Sequence, residues 1–378
     1  MKRTGTGAAG KTAAQQSDQL ESALGLVRNN VCTTPGYVPG LQPKPGQHLI
    51  KLNTNENPYP PSPKVLDAVK RAADGMLRLY PSPRGDALRA EAARLYGLAP
   101  EQVLCGNGSD EILAIIMRTF ISEGDTIAFF TPSYSLYPVL AALAGARTVT
   151  VPLPRDAFAG GIDGLPVPSP RAKVFFLSTP NAPYGFAFPT EWIRRLIASF
   201  PGILVADEAY VDFAPESSLP LLADNPRLIV ARTLSKTFSL AGMRVGFAFA
   251  HEKIVEQMMK VKDSYNLSRL AQEAGVAALA DKAYLAETRD KITSVRRTFT
   301  DRLKKKGFTV QPSDANFVFA VPPAGITARA LYDRLLARGF LVRYFEAAEV
   351  SDGLRISIGT EQDMEALSKE LEEAVHGN

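Results

Sequence analysis

Short apolar runs alternate with amphipathic segments through the middle of the chain. The apolar runs have the length of strands covered on both faces, and the amphipathic segments have the three-to-four-residue period of helices packed on a sheet. The predicted strands are Val103–Cys105, Thr126–Phe130, Thr148–Val151, Val174–Ser178, Ile203–Ala206, Leu228–Ala231 and Val245–Ala250. The predicted helices around them are Asp86–Tyr96, Asp110–Phe120, Tyr134–Ala144 and Thr190–Phe200. This alternation predicts an α/β fold, with a large domain whose mainly parallel sheet is flanked by helices.

The pattern changes after about Ser264, where a long helical region extends to Lys306. The elements predicted after it are strands at Phe317–Val321, Leu341–Phe345 and Leu354–Ile358 and helices at Thr327–Arg338 and Glu361–Val375. They predict a smaller α+β domain at the C-terminus. The first residues are rich in small and polar side chains, and prolines follow from Pro35, which is typical of an extended arm. The predicted division is a flexible arm at 1–48, a large domain at 49–262 and a small domain at 263–378.

Composition and charge exclude several classes of function. The 378 residues carry a net charge of +4 from 43 basic and 39 acidic side chains, which is too balanced to predict a nucleic-acid or membrane partner. Neither a membrane span nor a signal peptide is predicted. Two cysteines and three scattered histidines predict neither a disulfide framework nor a metal site. The expected setting is a reducing cytoplasm.

One N-terminal segment matches the phosphate-binding P-loop pattern G-x-x-x-x-G-K-[ST]. Residues Gly5 to Thr12 fit it, and Ile203–Glu208 resembles the acidic strand end that serves magnesium in P-loop ATPases. A P-loop requires a buried strand leading into it, and only four residues precede Gly5. The segment after Thr12 has no broad apolar face. We therefore reject a P-loop ATPase and keep it as the contrasting hypothesis.

A polar turn between two apolar runs contains the strongest candidate chemistry. The segment Ala231–Gly246 places Lys236 after Thr233 and Ser235 and before Arg244. A lysine amine forms a Schiff base with an aldehyde, and pyridoxal phosphate is the aldehyde cofactor that uses this reaction. Hydroxyl groups and a guanidinium are suited to bind its phosphate. A lone loop lysine is more often solvated, so the assignment depends on other parts of the chain.

The carboxyl ends of parallel strands are where α/β proteins bind ligands. Asp207 follows one predicted strand, where its carboxylate is suited to hold a protonated pyridine nitrogen; alone, it would equally be a helix cap. Tyr210 is placed to reach the cofactor's phenolic oxygen, and Tyr134 to stack on its ring, although both residues would also fit a packed core. Ser109 and Asp110 begin a helix whose free N–H groups are suited to bind phosphate.

Several separated motifs carry a resemblance to a known family. These are Ser235-Lys236, Asp207-Glu-Ala-Tyr210, Gly108-Ser-Asp-Glu111, Leu354-Arg-Ile-Ser-Ile-Gly-Thr360, Leu52-Asn-Thr-Asn-Glu-Asn-Pro58, Tyr80-Pro81, the segment Arg232–Arg244, Ser313-Asp-Ala-Asn-Phe317 and Leu341-Val-Arg-Tyr-Phe345. From about Tyr37 to its end, the chain resembles the fold-type I pyridoxal-phosphate aminotransferases, and among them the histidinol-phosphate aminotransferases.

The resemblance implies a role for each matching residue. Lys236 would carry the cofactor and shuttle a proton, with Asp207 on the ring nitrogen and Tyr210 on the phenolic oxygen. The other implied cofactor contacts are Ser109, Asp110, Tyr134, Asn181, Thr233, Ser235, Arg244 and, from the second subunit of a homodimer, Tyr80. The implied substrate contacts are Arg355, Arg343, Asn55, Asn316 and Tyr37, the last near the neighbouring subunit's substrate.

One position departs from the family pattern. The family commonly has Asn-Asn-Pro-Thr-Gly where this chain has Asn181-Ala182-Pro183-Tyr184-Gly185. The asparagine before proline bonds the phenolic oxygen in that family, and Ala182 cannot do so. Either Asn181 takes over this contact or Tyr210 acts without it.

The resemblance implies transfer of an amino group between L-histidinol phosphate and 2-oxoglutarate, a step of histidine biosynthesis. An aromatic amino-acid aminotransferase and a threonine-phosphate decarboxylase use the same machinery and remain alternatives. A transcription regulator on this fold would need an N-terminal DNA-binding domain, for which residues 1–48 are too short.

Overall fold

A computed structural model describes residues 13–44, 46–155, 162–166 and 168–376 of the chain. The P-loop-like segment at residues 5–12 lies outside these ranges. The strands are β1 (Ile50–Lys51), β2 (Val103–Gly106), β3 (Thr126–Thr131), β4 (Arg147–Pro152), β5 (Val174–Ser178), β6 (Ile203–Asp207), β7 (Leu228–Thr233), β8 (Gly246–Ala250), β9 (Thr309–Val310), β10 (Phe317–Val321), β11 (Phe340–Leu341), β12 (Arg343–Tyr344) and β13 (Leu354–Ser357). The helices are α1 (Ala13–Leu24), α2 (Asn29–Cys32), α3 (Pro63–Ala72), α4 (Asp86–Tyr96), α5 (Ser109–Phe120), α6 (Leu136–Ala144), α7 (Thr190–Ser199), α8 (Glu252–Val261), α9 (Arg269–Ala280), α10 (Lys282–Lys305), α11 (Ala328–Ala337) and α12 (Glu361–His376).

A seven-stranded sheet forms the centre of the large domain, in the order β2-β8-β7-β6-β5-β3-β4. Strand β8 is antiparallel to both of its neighbours, and the other pairs are parallel. This confirms the predicted α/β fold and its mainly parallel sheet. The carboxyl ends of β2, β3, β5, β6 and β7 therefore lie along one edge.

Both faces of this sheet are buried, as its near-continuous apolar strands predict. In β5, Phe175 belongs to the core on one face, and its neighbours Val174 and Phe176 belong to the core on the other. Successive strand residues point to opposite faces, so each face needs its own helical cover. The helix from Ser109 to Phe120 covers one face with Ile112, Ile115 and Ile116.

The C-terminal region builds a smaller antiparallel sheet in the order β12-β13-β10-β9. The predicted strand Leu341–Phe345 is wrong as a single element. Phe340–Leu341 pairs in parallel with Ile50–Lys51, and Arg343–Tyr344 pairs with β13 in the four-stranded sheet. The chain passes from one sheet to the other at the buried Val342, a change that the local sequence pattern does not reveal.

The predicted domain limits stay a prediction, and the helix packing after residue 262 bears on where the small domain begins. Helix α9 (Arg269–Ala280) lies against α3 and α4, and its residues Ala271 and Ala274 belong to the core of the large sheet. The chain after residue 262 therefore first completes the large sheet's helical layer. The small sheet begins only after the long helix α10.

Part of the predicted arm is helical and attached to the large domain. Helix α2 (Asn29–Cys32) lies at the C-terminal end of α6, where the Asn30 amide donates to the carbonyls of Ala142 and Leu143. The Arg28 guanidinium donates to Leu143 as well, at 2.9 Å. The bonds to Leu143 satisfy a carbonyl group that the helix end leaves free. Within the described ranges, no helix is both long enough and apolar enough to cross a membrane.

Candidate active site

A cavity of about 760 Å³ opens at the carboxyl edge of the large sheet, facing the small domain. Most of the residues predicted for the site line it. They are Tyr37, Asn55, Ser109, Asp110, Tyr134, Asp207, Tyr210, Thr233, Ser235, Lys236, Arg244, Arg343 and Arg355. The topology explains the large-domain part of this set, because the strands that lead to Ser109, Asp207 and Lys236 end at this edge.

Lys236 lies in the turn between β7 and β8. Its Nζ donates a hydrogen bond to the carbonyl oxygen of Thr54 at 3.0 Å and lies 5.7 Å from the centre of the Tyr210 ring. The loop that contains Thr54 thus reaches over the turn from the other side of the cavity. A lysine held by a single carbonyl keeps two of its three N–H groups for other partners.

Asp207 ends strand β6 at the floor of the cavity. The hydroxyl of Tyr137 donates to Oδ2 of Asp207 at 2.8 Å, while Oδ1 is buried without a hydrogen-bond partner among the described residues. Burial raises the pKa of Asp207 to about 6; the Tyr137 hydrogen bond opposes this rise, and the charge of Asp110 adds to it. One carboxylate oxygen is therefore fixed, and the other is left for a ligand.

An anion cradle is built where the turn after β2 meets the turn after β7. Gly108 precedes helix α5 in a left-handed conformation, with φ of 83°, and a Cβ placed on it would lie 2.3 Å from Nη2 of Arg244. Glycine is thus required there for the guanidinium to approach the backbone. Nη1 of Arg244 also donates to Oγ of Ser235 at 3.3 Å. A helix N-terminus, a hydroxyl and a guanidinium converge on one point, which favours phosphate.

Asp110 and Tyr134 form the adjoining wall. The Tyr134 hydroxyl donates to Oδ1 of Asp110 at 3.0 Å, and Nη2 of Arg244 lies 3.2 Å from Oδ2. Burial, with the Asp110 charge next in importance, raises the pKa of Tyr134. Tyr134 therefore remains a neutral hydrogen-bond donor, and its ring lies at the cavity.

Two arginines form the wall on the small-domain side. Arg343 and Arg355 are directly opposite each other on neighbouring antiparallel strands, so their side chains share a face. The Arg355 Nη2 donates to the carbonyl of Asn53 at 2.8 Å, and its Nε is buried without a partner among the described residues. Burial lowers the pKa of Arg355; Tyr210 opposes this effect, and the charge of Arg343 adds to it. Paired like charges are unfavourable alone and therefore favour an anion between them.

Three predicted residues lie away from the cavity lining. Tyr80 is 81% exposed and stacks on Tyr265, with ring centres 4.4 Å apart. The Asn181 amide donates to the carbonyl of Pro132 and accepts from the backbone N–H of Tyr184, so both of its polar atoms already have partners. Asn316 is fully buried behind the lining and donates to the Asn55 carbonyl.

Tyr37 lines the cavity of its own chain, and its implied place near the neighbouring subunit's substrate stays a prediction. Its ring centre is 6.0 Å from that of Tyr134, in an edge-to-face arrangement. The attachment of the preceding helix to α6 through Asn30 brings the arm across its own large domain.

Sequence reasoning missed two side chains that act on the site. Tyr137 is fully buried and fixes Asp207, but its position in an apolar helix resembles that of a core residue. Its spacing of three from Tyr134 was the available signal. Glu56 lines the cavity beside Lys51, which bonds it and lowers its pKa against the opposing effect of burial. No metal-binding cluster is formed by His, Cys, Asp or Glu within the part of the chain that the structure describes.

Comparisons with known proteins identify the family of this chain. Residues 47–371 match the family described as aminotransferase class I and II. The chain is 47% identical over 339 residues to a histidinol-phosphate aminotransferase of Syntrophotalea carbinolica, covering 90% of this chain and 96% of the relative. The chain is also 46% identical over 351 residues to a histidinol-phosphate aminotransferase of Citrifermentans bemidjiense, covering 92% of this chain and 98% of the relative.

A solved structure gives the same result. The crystal structure of histidinol-phosphate aminotransferase from Sinorhizobium meliloti, in complex with pyridoxal-5'-phosphate, superposes with a TM-score of 0.83 at 29% identity. The superposition covers 94% of this chain and 99% of the Sinorhizobium meliloti chain. The chain belongs to the class I and II aminotransferase family.

Proposed function

We propose that the protein is a pyridoxal-phosphate-dependent aminotransferase that exchanges an amino group between L-histidinol phosphate and 2-oxoglutarate. The observation that carries the proposal is the cavity itself, where Lys236, a buried carboxylate and an anion cradle face two arginines across about 760 Å³. The names of the relatives support the choice of substrate. A panel of amino donors assayed with 2-oxoglutarate tests it: histidinol phosphate should give the highest kcat/KM, and a preference for phenylalanine or tyrosine would contradict it.

The residues present fit the cofactor. The partnerless Oδ1 of Asp207 is the acceptor that a protonated pyridine nitrogen needs. The cradle of Ser109, Ser235 and Arg244 matches a phosphate, and the closeness of Gly108 to Arg244 leaves no room there for a side chain. When bound through Lys236, pyridoxal phosphate supplies a ring that accepts the electrons released from the substrate's Cα–H bond.

Each protein group then has a definable task. Nζ of Lys236, when free of the cofactor, is the base that takes the proton from the substrate Cα. Asp207 holds a positive charge at the ring nitrogen because Tyr137 fixes one of its oxygens and leaves the other available. Tyr210 is positioned to donate its hydroxyl proton, and the rings of Tyr134 and Tyr37 exclude water from one side of the cavity.

The arginine pair is the part of the site that selects the substrate. Glutamate presents a second carboxylate, and histidinol phosphate presents a phosphate with up to two negative charges. Arg355 meets either anion, whereas Arg343 adds donors that a doubly charged phosphate uses more fully. Phenylalanine and tyrosine carry a carboxylate but no phosphate.

Replacing Arg343 should therefore change specificity. We expect Arg343→Leu to lower kcat/KM for histidinol phosphate by about 10–100-fold, since a lost charge-assisted hydrogen bond costs about 1.5–3 kcal/mol. The value for phenylalanine should change by less than about threefold. Steady-state kinetics with both donors measures the ratio.

A matched control is Arg329→Leu. Arg329 lies in the same small domain, stacks on Tyr344 and pairs with Asp333 on the surface, so its loss removes an equal charge outside the cavity. The specificity ratio should not change in this variant. Equal losses for both donors in Arg343→Leu would count against a phosphate site.

We further propose that the working unit is a homodimer in which Tyr80 reaches the neighbouring subunit's phosphate site. The segment Gly75–Arg78 and the residues after it expose Met76, Leu77, Leu79 and Tyr80 together with Tyr265. A solvent-exposed cluster of large apolar side chains is typical of a surface covered by a partner. The resemblance to dimeric aminotransferases supports the second copy as that partner.

Complementation tests this assembly. Mixing inactive Lys236→Ala protein with weakened Tyr80→Phe protein should restore activity above the mean of the two, because a heterodimer forms one site with both residues intact. A matched mixture of Lys236→Ala with a Tyr265→Phe variant controls for stabilisation by mixing. Full wild-type activity from a protein shown by light scattering to be monomeric would contradict the proposal.

The proposed setting is the cytoplasm. The two cysteines are free thiols, with Cys32 exposed and Cys105 buried, which is compatible with a reducing compartment. We propose small-molecule substrates and the second subunit as the partners of this protein.

A further inference from the structure

The hydroxyl group of Tyr210 has a buried hydrogen-bond donor that the sequence did not reveal. Nδ2 of Asn55 lies 3.0 Å from the Tyr210 hydroxyl oxygen, and Asn55 is 1% exposed. A hydroxyl that accepts a hydrogen bond from an amide keeps its own proton for a second partner. Because Tyr210 lines the cavity, that proton is available to a bound group.

Ser357 fixes which end of the Asn55 amide faces Tyr210. The Ser357 hydroxyl accepts from the Asn55 backbone N–H at 2.9 Å, so its own proton is free to be donated. It is donated to Oδ1 of Asn55 at 2.8 Å. With its oxygen held by a donor, the amide must present its NH₂ group to Tyr210.

The backbone of Asn55 is held in an uncommon conformation. Its φ of 56° lies in the left-handed region, which asparagine tolerates better than most residues with a side chain. The carbonyl of Asn55 accepts a hydrogen bond from Asn316 at 2.9 Å, and Asn316 is fully buried. Buried non-glycine residues in this region cluster at functional sites because the surrounding structure must maintain them.

Neither Ala182 nor Asn181 supplies an equivalent donor to the Tyr210 hydroxyl. Ala182 belongs to a small apolar cluster against which Tyr210 packs, and its methyl group cannot form hydrogen bonds. The neighbouring Asn181 uses its amide on Pro132 and Tyr184. The asparagine in contact with the Tyr210 hydroxyl is thus Asn55 and not Asn181.

We propose that Asn55 is the positioning residue of Tyr210, and that its amide directs the Tyr210 proton to the phenolic oxygen of the bound cofactor. This inference rests on the proposed function. A hydrogen bond donated to that oxygen stabilises its anionic form. The oxygen then attracts the proton of the adjacent Lys236 nitrogen less strongly. The pH at which the visible absorption of the loaded protein changes is therefore set in part by Asn55.

A spectroscopic titration tests this role in the loaded protein. Asn55→Gly removes the amide, and glycine adopts the left-handed backbone without strain. The midpoint of the visible absorption change should rise by about 0.5–1 pH unit, the equivalent of one neutral hydrogen bond. Asn55→Asp, which keeps the side-chain size but loses the donor, should shift the midpoint in the same direction.

A double variant separates positioning from a general structural effect. Tyr210→Phe should raise the midpoint by itself, and adding Asn55→Gly should then have no further effect, since Asn55 acts through the missing hydroxyl. The matched control is Asn57→Ala, an asparagine of the same loop whose amide bonds the Thr237 carbonyl at 2.9 Å; its midpoint should be that of the wild type. An unchanged midpoint in Asn55→Gly, an additive double variant, or an equal shift in Asn57→Ala would overturn the inference alone. A wild-type protein that takes up no cofactor would overturn the proposed function and this inference with it.

Discussion

Lys236→Ala protein should have no measurable transaminase turnover, a loss of at least about 10⁴-fold. The same amine both attaches the cofactor and carries the Cα proton, so its removal affects two steps at once. The fold should survive, because in the described structure the side chain makes one hydrogen bond, to the Thr54 carbonyl. Thermal unfolding should accordingly stay within a few degrees of the wild type.

Covalent trapping gives an independent measurement for the same residue. Wild-type protein loaded with pyridoxal phosphate should absorb in the visible, and borohydride reduction followed by peptide mass spectrometry should find the cofactor on Lys236. The control is Lys11→Ala, which removes the lysine of the P-loop-like segment and should leave turnover unchanged. An adduct on another lysine, or a loss of activity in Lys11→Ala, would refute the assignment.

Asp207→Asn should lower kcat by a factor on the order of 10²–10³, because a preorganised charge at the ring nitrogen is lost while the fold is kept. Tyr137 can still donate to the remaining side-chain oxygen, so the geometry is retained. Single-turnover absorbance measurements with histidinol phosphate separate this loss from a change in binding. A kcat within threefold of the wild type would exclude the proposed role.

The same substitution should stabilise the cofactor-free protein. Folding raises the pKa of Asp207 from 3.8 to about 6, so the contribution of this group to stability is fully present below pH 4 and is lost as the pH rises through 6. Asparagine cannot ionise and escapes this loss. At pH 7.5 we expect the free energy of unfolding of apo Asp207→Asn to exceed that of the apo wild type by about 2–3 kcal/mol.

Denaturant titrations of both apoproteins at pH 4.5 and 7.5 provide the check. The difference should shrink at the lower pH, and added pyridoxal phosphate should stabilise the wild type more than the variant because only the carboxylate pairs with the ring. A difference independent of pH would show that the ionisation of Asp207 is not its cause. A buried carboxylate that lacks its ionic partner destabilises a protein, and functional residues commonly have this effect when the ligand is absent.

The sequence was sufficient to predict the α/β fold and the edge of the sheet where the site lies. Strand and helix periods are local properties, so Val174–Ser178 and Phe317–Val321 were predicted with their observed bounds. The position of Lys236 between two apolar strands and that of Asp207 at a strand end are local as well. Together with the rule that ligands bind at the carboxyl ends of parallel strands, these positions predicted a shared site at the sheet edge. Most of the candidate residues line one cavity there.

Only the tertiary structure decided which side chains support the reacting ones. Tyr137 and Asp207 are 70 positions apart, and Asn55 and Ser357 are 302 apart, so no window of sequence contains both partners. The cross-strand pairing of Arg343 with Arg355 depends on register, and the arm's route to its own cavity depends on where Asn30 attaches. Periodicity specifies which face a residue occupies, but contacts between elements distant in sequence are fixed by how those elements pack in the folded chain.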